Sequence, residues 1–230
     1  MKNKIIFLAV ITLAIAGLQS CDKETSGGLT RITYYPAITI LGDEVVMVNK
    51  GETYIDAGIY VELNGEDVTN RSEVVSTVDA NTVGVYTVSY KSVTNADGFF
   101  ATASRSVFVV DRNSLASVYL SESEYGTRHY YGAPVYIEEN PNGTYTIDDL
   151  AGGFYFWGRY PGYEPTYDFH CEATLKLNGD NSIELVDYAG EWYWDPDYPT
   201  ITTGTYDPAT GKVTLTLDFG GDPMYVTLTK

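Results

Sequence analysis

The sequence predicts an all-β protein in two modules, a small two-sheet sandwich followed by an antiparallel meander that curls into a β-barrel or a strongly twisted sheet. Two observations carry this. From Pro36 onward the chain reads as short runs of branched and aromatic residues separated by Gly, Asn, Asp and Pro. Several of the later runs alternate apolar and polar residues with a period of two, the signature of strands with one face in a core and one in water.

The opening segment precedes both modules. Lys2 and Lys4 supply a positive start, Ile5 to Leu18 an apolar run of 14 residues, and Leu18-Gln19-Ser20-Cys21 a lipobox with the small Ser20 at the cut. The run falls short of the roughly 20 residues that span a bilayer, so it reads as a cleaved export signal. Residues 1–20 are therefore the expected lipoprotein signal peptide, and Cys21 the lipid-bearing residue that ties the chain to a membrane. Residues 21–35 are polar and glycine-bearing, without apolar period, and form a tether. The acidic residues soon after Cys21 resemble the surface-export signal of Bacteroidetes lipoproteins, with Lys23 interrupting the run.

Removal of residues 1–20 leaves 12 basic against 31 acidic residues. Nucleic acid and anionic lipid, which demand a basic surface, are poor partners on this balance. With Cys21 lipidated, Cys171 has no second cysteine, so the fold must stand without disulfides or a cysteine metal cluster.

In residues 36–112, strands are predicted at 38–41, 45–48, 57–63, 74–78, 85–90 and 99–110, with turns at Gly42-Asp43, Asn49-Lys50-Gly51, Asn64-Gly65 and Asn95-Ala96-Asp97-Gly98. No convincing helical period interrupts them, which suits a sandwich. Pro36-Ala37-Ile38-Thr39-Ile40-Leu41-Gly42 and Gly51-Glu52-Thr53-Tyr54-Ile55-Asp56-Ala57-Gly58, followed by Val83-Gly84-Val85-Tyr86-Thr87-Val88-Ser89-Tyr90 and Arg105-Ser106-Val107-Phe108-Val109, resemble the Ig-like domain of bacterial surface proteins. The resemblance implies a spacer or docking module and brings no catalytic residues. Asp56, Asp67 and Asp79 lack the alternating acidic spacing of a calcium loop, and Asp56 reads as a turn residue.

In residues 113–230, strands are predicted at 117–121, 135–139, 144–147, 153–157, 167–177, 182–186, 200–205, 213–219 and 224–229. Phe169, Cys171, Ala173, Leu175 and Leu177 share one face and Asp168, His170, Glu172, Thr174 and Lys176 the other. Val213, Leu215, Leu217 and Phe219 repeat the pattern, as do Met224, Val226 and Leu228. Tight turns such as Asn140-Pro141-Asn142-Gly143 and Asn178-Gly179-Asp180-Asn181 favour a meander, and closure would remove its exposed edges.

Aromatic density is the chemistry-bearing feature of this module. Residues 154–163 and 192–199 hold all three tryptophans beside loop-forming Gly and Pro. Aromatic planes stack on sugar C–H faces or on peptide side chains. Trp192, Tyr193, Trp194, Tyr198, Tyr160 and Tyr163 are the candidate ligand or partner contacts, and for residues 192–198 a structural plug stands as the second reading. No HExxH, G-x-S-x-G or glycine-rich phosphate loop is present. His129 and His170 are the only histidines. Carboxylate pairs such as Asp195 and Asp197, or Asp148 and Asp149, do not by spacing alone make a glycosidase. No catalytic residue, metal site or cofactor is expected.

Gly143-Thr144-Tyr145-Thr146-Ile147-Asp148-Asp149, Ala151-Gly152-Gly153-Phe154-Tyr155 and Gly204-Thr205-Tyr206-Asp207-Pro208-Ala209-Thr210-Gly211 make the whole chain resemble a group of two-domain Bacteroides surface lipoproteins. That resemblance implies a noncatalytic accessory lipoprotein of SusC/SusD-type outer-membrane importers, with a glycan or peptide as ligand. A structural or adhesive surface lipoprotein is the alternative reading, and a glycoside hydrolase the third.

Overall fold

The structure, a computed structural model, describes residues 32–230. The predicted signal peptide, Cys21 and most of the tether lie outside the described residues.

The first module is a sandwich of two sheets. One contains β1 (Ala37–Ile40), β3 (Ile59–Leu63) and β4 (Glu66–Asp67), in the order β1-β3-β4. The other contains β2 (Val45–Asn49), β5 (Glu73–Ser76), β6 (Gly84–Lys91) and β7 (Thr102–Val110), in the order β2-β7-β6-β5, with β2 parallel to β7. Pairing places Ile38 opposite Val61 and Ile40 opposite Ile59, so the apolar positions of the facing strands enter together. Val48, Ile59, Val61, Val68, Val88, Tyr90 and Val107 form the core.

Arg105 occupies an inward position of β7 that the period of two assigns to an apolar side chain, and it is 1% exposed. A buried guanidinium is tolerable only when its donors are met. Its Nε donates to the carbonyl of Asp43 at 2.9 Å, and its two terminal nitrogens donate to the carbonyl of Leu41 and the carboxylate of Asp56. The hydroxyls of Tyr90 and Tyr54 donate to the same Asp56 oxygen at 2.7 and 3.0 Å. Asp56 is thus the counter-ion of a buried network, which corrects its reading as a turn residue. Burial pushes its carboxyl up, but the hydrogen bonds from Tyr90, Tyr54 and Gly58 and the charge of Arg105 outweigh this and hold it below the ordinary aspartate value.

The second module is built from β8 (Ser117–Tyr125), β9 (Arg128–Glu139), β10 (Tyr145–Ile147), β11 (Ala173–Leu177), β12 (Ile183–Tyr188), β13 (Thr200–Asp207), β14 (Lys212–Phe219) and β15 (Asp222–Thr229). Its single eight-stranded sheet has the order β12-β11-β10-β9-β8-β15-β14-β13. Sequential neighbours pair antiparallel, and the first strand pairs with the last, Leu120 to Tyr125 against Met224 to Thr229. The only unpaired junction is between β12 and β13, where a bridge between Ser182 and Thr205 and a bond from Tyr206 N–H to the Asn181 carbonyl at 2.9 Å join one end. The module is therefore a nearly closed barrel, the more compact of the two predicted shapes.

Several predicted elements differ, and two of the differences shape the barrel. The turn at Gly126-Thr127 begins β9 at Arg128, seven residues before the predicted start at 135. The predicted strand 153–157 is instead a π-helical turn, Phe154–Arg159, in which the N–H groups of Gly158 and Tyr160 reach back five residues to the carbonyls of Gly153 and Tyr155. Gly152 and Gly153 explain the difference. Both have positive φ, and a Cβ would meet Val226 at 2.6 Å at the first and Ala133 at 2.3 Å at the second. Without side chains the turn drops into the barrel, where Leu150, Ala151, Phe154 and Tyr155 join the core formed by Val135, Ile137, Leu215, Val226 and Leu228.

The modules share a continuous strand junction. Val107 faces the sandwich core, while Phe108 and Val110 on the opposite face pack against Val118, with Met47, Val85, Leu120 and Tyr136 around them. The N–H of Val85 donates to the Tyr136 hydroxyl at 3.3 Å, and Arg112 donates to the backbone carbonyl of Lys230 at 3.0 Å. Residues 35–230 accordingly form one compact unit.

Asp56→Asn removes the counter-ion of a buried guanidinium and is expected to cost about 3 kcal/mol or more, read as a lowered midpoint in thermal or urea unfolding. Because the folded-state carboxyl sits below its unfolded value, the wild-type contribution is present above the ordinary aspartate range and is lost as pH falls through the depressed folded value. The variant should lack that acid limb.

Candidate functional site

Strand parity sets the site. In an up-and-down barrel, successive connections alternate between the two ends, so the segments joining β10 to β11 and β12 to β13 emerge at the same end. These are the two long connections of the barrel, residues 148–172 and 189–199, and they hold both aromatic segments. Their rings form three tiers.

The lowest tier plugs the barrel. Phe154, Tyr155, Phe169 and Trp192 are buried and belong to the core. Trp192 is 4% exposed; its indole N–H donates to the Phe169 carbonyl at 3.2 Å and its backbone N–H to the Tyr198 hydroxyl at 3.1 Å. It is the plug of the two readings, and no face of its ring is open to a ligand. Tyr160, Trp194 and Tyr198 form the second tier, partly buried against the core. Tyr198 packs on Tyr188 at 4.3 Å, and the Tyr188 hydroxyl donates to the Pro199 carbonyl at 2.8 Å, so this pair fastens the end of the β12–β13 seam opposite the Ser182 bridge.

The outer tier is Tyr163, Tyr167 and Tyr193, exposed by 52%, 43% and 51%. Phe169 supports all three, with ring centroids at 6.1, 6.3 and 4.9 Å, and also contacts Tyr160 at 4.9 Å and Trp194 at 5.3 Å. Tyr167 meets Tyr193 edge to face at 5.4 Å, which ties the two connections together. Sequence reasoning missed Tyr167 because it took 167–177 as one strand, whereas pairing begins at Ala173. The inward alternation of Phe169, Cys171, Ala173 and Leu175 nevertheless runs through the unpaired part. Tyr167 has the inward parity of Phe169 yet is 43% exposed, so the period of two carried no signal for it.

The carboxylates near the plug are acceptors for backbone groups. Asp149 is buried and takes the N–H groups of Ala151 at 3.0 Å, Gly153 at 2.8 Å and Cys171 at 3.2 Å, fixing the glycine turn to the approach of β11. Asp148 accepts the Tyr136 N–H at 2.9 Å. Burial pushes Asp148 up to about 6, and also raises Asp149. The pair is an organiser of the turn, which is a structural use of the carboxylates singled out from sequence. Cys171 is buried beside it, and burial raises its thiol, so it fills space as a small apolar side chain. His170 stacks on Phe156 at 3.6 Å and bonds Asp168 at 2.7 Å on the flank of the platform. His129 lies elsewhere, on the barrel wall between Glu122 and Tyr131.

Trp192→Ala is expected to lose about 3–5 kcal/mol through the cavity it leaves, whereas Tyr193→Ala should lose only about 0.5–1.5 kcal/mol, the worth of an aromatic pair; thermal melts of the two variants separate plug from platform. In a second scan, stability should rise as pH falls from 7 toward the ordinary aspartate range, because Asp148 holds its proton more tightly folded than unfolded. Asp148→Asn should flatten that part of the profile.

Comparison with known proteins adds the family. Residues 110–230 match a C-terminal-domain family model, and residues 38–109 match that of the bacterial surface protein Ig-like domain. Among solved structures, the lipoprotein BT2262 from Bacteroides thetaiotaomicron is 28% identical, covering 85% of this chain and 100% of that one with a TM-score of 0.53. A solved chain from Clostridium perfringens ZmpB, with CBM51-2 in complex with GlcNAc and INT domains, is 18% identical over 79% of this chain and 29% of that one; its TM-score of 0.28 is too low to carry an argument. No curated protein matches. With more than half of its length matched by one family model, the chain belongs to the family defined by that C-terminal domain, here preceded by a bacterial surface Ig-like domain.

Proposed function

We propose that this protein is a lipid-anchored outer-membrane surface protein, held through Cys21, that assists nutrient capture by a SusC/SusD-type importer without catalysing a reaction. The observation that carries the reading is the platform of Tyr163, Tyr167 and Tyr193, three exposed rings held on Phe169 at one end of a filled barrel. Among the described residues the barrel interior is filled by the core around Phe154 and Tyr155, and the exposed rings lie on the outer face of the plug. The sandwich, joined to the barrel through Phe108, Val110 and Val118, acts as a stiff spacer between anchor and platform. Similarity to a Bacteroides lipoprotein over most of the chain, together with the lipobox, supports the anchored surface location.

Adhesion to another surface protein is the second reading, favoured by β5, an edge strand of the sandwich with both Val74 and Val75 exposed.

Detergent extraction of native membranes followed by affinity capture of the tagged full chain is expected to bring down SusC-type and SusD-type importer subunits. Capture of a different surface protein at equal stoichiometry, with no importer subunit, would move the assignment to adhesion. Cys21→Ala is expected to lose lipid attachment and to release the protein from the membrane fraction; retention at wild-type levels would remove the anchor from the model.

A further inference from the structure

We infer that the aromatic platform takes a cationic group, and specifically the lysine or arginine side chains of an extended peptide. The inference rests on the reading of the platform as the ligand face and names the ligand class it would select.

Charge distribution carries the argument. Residues 160–172 and 189–199, which build the platform, contain Glu164, Asp168, Glu172, Glu191, Asp195 and Asp197 and neither lysine nor arginine. All six carboxylates are exposed. Among the described residues only Asp168 of these six meets a basic side chain, the His170 ring at 2.7 Å. Glu164 follows Tyr163 and Asp168 follows Tyr167 directly in the chain, and Asp195 and Asp197 follow Tyr193 within four residues. Arg159, which precedes this segment in the chain, is turned onto the Tyr160 ring, with its carbon 5.2 Å from the centroid. That contact shows within this cluster the interaction proposed for the ligand.

Exposed tyrosine faces attract ammonium and guanidinium groups through the ring quadrupole, and carboxylates set around the rings add a longer-range field of the same preference. Unpaired exposed carboxylates are well solvated, so the same surface repels carboxylated or sulfated sugars and acidic peptides and has no electrostatic preference for neutral sugars. A peptide is favoured over a free amine because Tyr163, Tyr167 and Tyr193 offer several neighbouring rings, with Tyr163 to Tyr167 at 6.3 Å and Tyr167 to Tyr193 at 5.4 Å. Alternate side chains of an extended strand, about 6.6–7 Å apart, can reach two neighbouring rings at once, which a single amine cannot.

The test titrates the full folded chain with the blocked peptide acetyl-Lys-Ala-Lys-Ala-Lys-amide, its norleucine and glutamate counterparts, and maltohexaose, followed by calorimetry or tyrosine and tryptophan fluorescence. The lysine peptide is expected to bind at least tenfold more tightly than the norleucine peptide, the glutamate peptide not to bind, and the affinity to fall with added salt. Tyr193→Ala and Tyr167→Ala, which leave every carboxylate in place, are expected to weaken binding about 3- to 30-fold. Tyr225→Ala, an exposed tyrosine on the barrel wall, serves as the control and should have no effect. Asp195→Asn with Asp197→Asn should weaken the lysine peptide and leave the norleucine peptide unchanged. Equal binding of lysine and norleucine peptides, or maltohexaose binding that Tyr193→Ala abolishes, overturns the cationic preference while leaving the platform as the ligand face. Lysine-peptide binding indifferent to both tyrosine variants overturns the inference as well, since it reduces the effect to the overall negative charge; if none of the probes responds to either variant, the platform reading falls with it.

Discussion

The ladder between the first and last strands of the second module is the constraint on which the rest depends. Pairing β8 with β15 bends eight strands into a near-cylinder and converts two sheet edges into one internal seam. Once that ladder exists, the chain has an inside that must be filled and one place, between β12 and β13, where backbone pairing is incomplete. The filling is the glycine turn with Phe154 and Tyr155, and the seam is fastened by Ser182 with Thr205 at one end and by Tyr188 with Tyr198 and Pro199 at the other. The aromatic segments therefore span a single gradient of burial, from Trp192 in the core to Tyr193 in water.

The adjacency of plug and platform has a physical logic. Exposed tyrosines on a mobile loop would have to be ordered when a ligand binds, at a cost in side-chain and backbone entropy. Here Phe169 holds the outer rings from beneath, and Phe169 is itself fixed because its carbonyl accepts the Trp192 indole N–H and its chain continues into β11. Asp149 adds the link between the glycine turn and residue 171, so the connections from β10 and β12 are anchored to one set of bonds. Burial that raises Asp148 and Asp149 is a cost of that arrangement, compensated by the backbone donors they satisfy.

The sandwich reaches stability by a different device. Its apolar core is small, and its centre holds an arginine whose donors are distributed to the two loop carbonyls of Leu41 and Asp43 and to Asp56. This network draws the β1–β2 and β2–β3 connections onto β7, and β7 continues through Asp111 to the barrel. The same strand thus serves the sandwich core with Val107 and the junction with Phe108 and Val110, which is why its last residues are apolar on both faces.

Periodicity alone determined that Phe169 to Leu175, Val213 to Phe219 and Met224 to Leu228 would present alternate side chains to a core, because a strand has one side-chain period whatever it packs against. Turn chemistry pointed to the meander, since tight connections such as Asn142-Gly143 and Asn178-Gly179 join antiparallel neighbours. Composition determined where the aromatic chemistry would lie, and the acidic surface around it. Closure, however, depends on the pairing of residues about a hundred positions apart, which no local pattern encodes. The fate of residues 153–159 was likewise decided by tertiary contact: their branched and aromatic character suits a strand, but Gly152 and Gly153 let them enter a space that exists only after the barrel has formed. For the same reason sequence could not divide the tryptophans and tyrosines of 192–198 between plug and platform. Arg105 and Asp56 carry the lesson into the first module, where a charge on an inward strand position becomes intelligible only when the chain brings its counter-ion from 49 residues away.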